Sequence, residues 1–140
     1  MVALAHAVVP GQVTATDRIV AIAWAVADLD AAISSVPLPF KHSARDRLLG
    51  GRAAAVRYGP VLLLLESPLA LAEGRVAAFL SHYGAGGLLA FYLERPRFLP
   101  PARAGVRPPR PLYTPFGRRG WLLPHEWPWG PFVIALDVER

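Results

Sequence analysis

The order of segment types along this chain repeats with a period near half its length. That repeat limits the fold more than any single residue does. Ile19 to Val26 reads as a buried strand. Asp28 then stands where a helix N-cap belongs, ahead of Leu29, Ala32, Ile33 and Val36 at helical spacing. Pro37 and Pro39 stop that helix. Lys41 to Gly51 is polar and reads as a loop, Arg52 to Tyr58 as a strand and Gly59-Pro60 as a turn. Val61 to Glu66 reads as a second strand, apolar on both faces. A linking helix follows, with Val76, Phe79, Leu80 and Tyr83 on one face and Gly84 as its cap. Gly87 to Leu93 begins the cycle again with a strand. The counterpart of the first helix, Glu94 to Arg110, holds Pro96, Pro100, Pro101, Pro108 and Pro109, so at most a short helical stub survives there. Leu112 to Phe116, Trp121 to Leu123 and Phe132 to Val138 complete the second set of strands.

The expected fold class is therefore α+β: two βαβββ modules whose curved sheets form a pseudo-barrel around one pocket, with the second helix reduced to a stub. Residues 1–17 show no periodicity and read as a flexible N-terminal arm. Residues 18–140 read as one domain, with module one at 18–68, the linking helix at 72–84 and module two at 86–140. An apolar content of 54% over 140 residues supports a core of that size.

Several function classes are disfavoured. No apolar run approaches a membrane span. Met1 to Pro10 lacks the basic start of a secretory signal, so a cytoplasmic protein is expected. Without cysteine there is no disulfide, thiolate metal site or cysteine nucleophile. The net charge is +5, but the arginines are scattered, with one loose group from Arg95 to Arg110. Nucleic acid is not an expected partner.

Four segments carry a family resemblance. Ala21-Ile22-Ala23-Trp24-Ala25-Val26-Ala27-Asp28-Leu29-Asp30-Ala31-Ala32 resembles the opening strand and helix of vicinal-oxygen-chelate domains, the superfamily of glyoxalases, bleomycin-resistance proteins and extradiol dioxygenases. Val61 to Pro68 resembles the strand that closes their first module. Gly74 to Gly86 with Leu89-Ala90-Phe91 resembles the linker and next strand of methylmalonyl-CoA epimerases and hydroxyphenylpyruvate dioxygenases. Gly130 to Glu139 resembles the final strand.

The resemblance implies a metal site, and this chain departs from it. Metal-binding members place a histidine on the first strand of a module and a carboxylate or amide on the last. The corresponding positions here are Ala21, Leu63, Leu88 and Leu136, with Ala135 or Asp137 in the place of Leu136 if the register slips. No metal and no cofactor are expected at that position.

Strand alternation puts Ala21, Ala23 and Ala25, Val61, Leu63 and Leu65, Leu88, Ala90 and Tyr92, and Phe132, Ile134 and Leu136 on the concave face. Such a face suits a hydrophobic small-molecule ligand. Tyr92, the one hydroxyl expected there, is a candidate catalytic acid, and His125 with Glu126 a candidate acid–base pair on a loop. Trp127 and Trp129 follow that pair as candidate stacking or lid residues. One of Arg57 and Tyr58 must point inward to meet a ligand oxygen, and Tyr113 has the same standing. His42, His82 and Glu94 read as surface residues. The expected activity is metal-independent tailoring of an aromatic or polyketide-like substrate: a cyclase, dehydratase or isomerase of natural-product biosynthesis. The alternative is an antibiotic-sequestering resistance protein. A homodimer is expected by analogy.

Overall fold

Eight strands form one curled mixed sheet in a computed structural model of the chain, which describes residues 13, 14, 16–69, 74–95, 111–124 and 128–137. Module one contributes β1 (Arg18–Ala25), α1 (Leu29–Ser35), β2 (Lys41–His42), β3 (Gly51–Tyr58) and β4 (Val61–Pro68). The linking helix α2 spans Gly74–Tyr83. Module two contributes β5 (Leu88–Glu94), β6 (Leu112–Tyr113), β7 (Arg119–Leu122) and β8 (Phe132–Leu136). The sheet order is β2-β3-β4-β1-β5-β8-β7-β6. Each module pairs its first strand in parallel with its last, and β1 and β5 join the modules antiparallel. The half-barrel expected from the duplicated segment order is thus observed. The helical counterpart expected within Glu94 to Arg110 falls almost wholly outside the described residues.

Local chemistry explains the helices. Asp28 caps α1, its carboxylate accepting from the Ala31 N–H at 3.1 Å. Val36 leaves the helix in an extended conformation, followed by Pro37. At the start of α2, the Arg75 and Val76 N–H groups both donate to the Leu49 carbonyl, at 2.9 and 3.0 Å. A carbonyl from a distant loop thus satisfies donors that every helix leaves open. Gly84 ends α2 at φ +84°, a conformation that side-chain-bearing residues rarely adopt.

The two sheet faces carry separate cores. The convex face of module one packs Ala54, Leu63 and Leu65 against Leu29 and Phe40, with Ile33 and Val36 of α1 alongside. The convex face of module two packs Leu93, Leu123, Val133 and Ala135, with Val13 against them. Asp17 pairs with Arg95 at 2.8 Å, so the last residues of the expected N-terminal arm are tied to module two. The concave face gathers Ala21, Ala23, Ala25, Leu64, Ala90, Tyr92, Phe132, Ile134 and Leu136, covered by Leu48, Leu49, Val76 and Phe79.

Two expected facings are corrected here. Leu63, with Val61 and Leu65, lies on the convex face; the concave positions of β4 are Leu62, Leu64 and Glu66. Five aliphatic residues in a row carry no alternation to set the facing, and burial under α1 decides it. Leu88 is displaced as well. A register shift between Ala23 and Trp24 puts Leu89, not Leu88, into the concave core.

Candidate functional site

The corrected register brings a carboxylate onto the concave face. Glu66 stands beside Ala25 on one side and Ala53 on the other, fully buried. Tyr92 stands beside Ala21 on β5, also fully buried. The strand β1 lies between them, yet the Tyr92 hydroxyl is 2.8 Å from Glu66 Oε2. The two side chains therefore meet above β1, and its buried alanines leave the room for them. The space expected over Ala21, Ala23 and Ala25 is in this part filled by a polar bridge.

Asp46 completes the group from a loop. It is fully buried, and its Oδ1 accepts the Leu48 and Leu49 N–H groups at 3.0 and 3.1 Å. Its backbone is held too: the Asp46 N–H donates to Gly51, and the Gly50 and Gly51 N–H groups donate to the Asp46 carbonyl. The Tyr92 hydroxyl donates to Asp46 Oδ2 in a short hydrogen bond. The Arg47 N–H donates to the Tyr113 carbonyl at 3.1 Å, so this loop reaches across to β6 at the far edge of the sheet. Gly51 is small for a reason: a Cβ there would lie 2.7 Å from Glu66 Oε1 and 3.0 Å from Val76.

A phenol has one proton, and it faces two carboxyl groups here. The second contact needs a proton on a carboxyl. Burial, then the nearby charge of Asp46 and a hydrogen bond with it, raise the Glu66 carboxyl well above its ordinary value, against the opposing pull of Tyr92. Burial also raises Asp46, while hydrogen bonds from Tyr92, Glu66 and two backbone amides oppose it. Both carboxyls are thus held toward their protonated forms, Glu66 further than Asp46. Tyr92 is held well above the ordinary phenol value by burial and by both neighbours, so it stays protonated. Glu66 Oε1 is buried with no hydrogen-bond partner among the described residues.

The group does not fit a metal ion. Asp46 spends one oxygen on two backbone amides and the other on Tyr92, and Glu66 spends Oε2 on Tyr92. One uncommitted oxygen falls far short of the six or more that a hard cation takes.

The remaining candidate residues scatter. Ala90, Ile134 and Leu136 lie on the concave core as expected. Arg57 lies in the concave row, paired with Leu62, whereas Tyr58 pairs with Val61 on the convex side and is 52% exposed. Tyr113 faces the convex side with Arg119 and is 54% exposed. Trp129 stacks on His82 of α2 at 4.0 Å between ring centroids, so it packs on the linking helix. His42 pairs with Asp30 at 3.0 Å, and Glu94 with Arg18 and Arg118. His125, Glu126 and Trp127 lie outside the described residues. Sequence reasoning missed Asp46 and Glu66. The available signal was Glu66 itself, a charged residue ending an aliphatic run, which is costly to bury without a partner.

The strand order and the paired modules are those of a vicinal-oxygen-chelate type of fold. Solved structures with it include a methylmalonyl-CoA epimerase variant from Streptomyces coelicolor in complex with 2-nitronate-propionyl-CoA, at TM-score 0.61 and 21% identity over 85% of this chain and 95% of that one. They also include the methylmalonyl-CoA epimerase from Mycobacterium tuberculosis, at TM-score 0.63 and 18% identity over 87% and 88%. A hypothetical protein from Bacillus halodurans matches at TM-score 0.62 and 15% identity over 89% and 96%. No family model and no curated protein matches the chain.

Proposed function

We propose that this chain is a metal-independent acid–base enzyme acting on a hydrophobic, aromatic or polyketide-like small molecule, of the cyclase, dehydratase or isomerase type found in natural-product biosynthesis. The observation that carries the reading is the Asp46, Glu66 and Tyr92 group set in the apolar core of the concave face. Proton transfer near neutral pH needs a carboxyl whose affinity for its proton has been raised, and burial beside a second carboxylate does that. Tyr92 relays between an acid and a base already in contact with it. Its ring meets the half-buried Phe116 edge-on at 5.4 Å, so Phe116 is the side chain a substrate displaces to reach it. Named epimerases among the similar structures support an enzymatic role. His125 and Glu126 remain proposed partners at the rim, and a cytoplasmic homodimer remains the proposed form.

The test is turnover of a panel of aromatic and polyketide-type substrates, followed by mass spectrometry. Glu66→Gln and Tyr92→Phe are expected to lower turnover by about 10²-fold or more while ligand binding persists. Turnover unchanged in both variants would overturn the reading. Sequestration is the second reading, favoured by the complete burial of all three polar side chains. Tight binding with the ligand recovered unchanged would establish it.

A further inference from the structure

We propose that Lys41 and Arg57 form an anion subsite at the open end of the concave face, so that the ligand is an apolar molecule carrying one carboxylate or phosphate group. The proposal rests on the binding reading above and names its ligand class.

The register places both cations. Lys41 pairs with Ala55, and Arg57 pairs with Leu62. Ala55 and Leu62 both pack against the concave core, and neither β2–β3 nor β3–β4 has a register shift. Lys41 and Arg57 therefore project on the concave side from neighbouring strands, one pair apart on the diagonal. Such positions lie about 7–8 Å apart, a gap that two long side chains close around one anionic group.

The concave face changes character along its length. It is sealed toward α2, where Ala25, Leu49, Val76 and Phe79 are buried. At the other end Ala55, Leu62, Phe116 and Leu122 are only half-buried, and Leu112 is 42% exposed. The two exposed cations stand on one rim of that apolar floor.

Among the described residues no carboxylate neutralises them. Asp17 is taken by Arg95, Asp30 by His42, Glu94 by Arg18 and Arg118, and Asp137 by Arg119. Asp28 caps α1, and Asp46 and Glu66 are buried. Arg45 and Arg47, exposed in the loop after β2, add positive potential on the same side. A lysine on an edge strand also discourages strand addition, but that role does not reach Arg57, since β3 is an inner strand.

The test uses two dyes, anionic 8-anilinonaphthalene-1-sulfonate and its uncharged relative N-phenyl-1-naphthylamine. Wild-type protein is expected to bind the anionic dye about tenfold more tightly. The double variant Lys41→Gln, Arg57→Gln is expected to lose that advantage, keep its affinity for the uncharged dye and melt at the same temperature. Displacement by dodecanoate against dodecyl phosphate identifies which anion the subsite takes. Equal binding of both dyes to wild type, or an unchanged affinity of the variant for the anionic dye, overturns the subsite while leaving an apolar ligand in place. Failure of both dyes to bind overturns the underlying binding reading as well.

Discussion

Glu66 is a carboxyl sealed from bulk solvent, and its neighbours decide what that costs. Its Oε2 has Tyr92, and its Oε1 has no hydrogen-bond partner among the described residues. A Gln in its place keeps the shape and cannot ionise. Glu66→Gln is therefore expected to leave stability in mild acid within about 1 kcal/mol of wild type and to remove most of the decline toward alkaline pH. Denaturant titrations at several pH values check this. Two further positions are set by volume. Ala23 lies beneath the bridge between Tyr92 and Glu66, and Gly51 leaves Glu66 its space. Ala23→Leu and Gly51→Ala are each expected to cost about 1–3 kcal/mol in the same titrations, with Gly51→Ala also disturbing Val76.

The linking helix does more than connect. Its first turn is capped by Leu49 and held by Arg75 donating to the Leu48 carbonyl at 2.9 Å. Its last turn is docked on module two, with the Tyr83 hydroxyl donating to the Gly130 carbonyl at 3.0 Å and His82 stacked on Trp129. Tyr83→Phe is expected to lower stability by about 1 kcal/mol with the fold unchanged, read by thermal melting and circular dichroism. This helix and α1 were legible in the sequence because helical spacing and caps are local. The facing of β4 was not. An aliphatic run is equally apolar on both sides, and only the docking of α1 on Leu63 and Leu65 breaks the tie. The partnership of Asp46 with Tyr92 was illegible for another reason. It joins a polar loop to a strand 46 residues away, and no local pattern encodes such a contact.

For the whole molecule, the charge pattern sets opposite responses to acid and base. Asp17 and Glu94 are held below their ordinary values, chiefly by hydrogen bonds from Arg95 and Arg118. Folding thus releases their protons, and the stability they supply is lost as pH falls through that low range. Asp46 and Glu66 are raised above their ordinary values of 3.8 and 4.5, so the folded state holds protons that the unfolded chain sheds. Stability therefore declines as pH climbs above those values, and Tyr92 adds to the loss above its ordinary value of 10.0. Maximum stability is expected on the mildly acidic side of neutrality. A calorimetric pH series checks this, and a maximum on the alkaline side would contradict it. Among the described residues no helix is long and apolar enough to cross a membrane.

The bridge above β1 also bears on how such a chain can change over generations. Positions 46, 66 and 92 lie far apart in the gene but act as one inherited character. Losing Tyr92 alone leaves two acids facing each other in a dry interior, and losing Asp46 alone leaves two backbone amides unanswered. Exchanging all three together for apolar residues of matching volume leaves no such debt. Descendants of this sequence are expected to keep the trio or to abandon it in concert, and lineages that abandon it will have kept the scaffold while giving up its buried polar bridge.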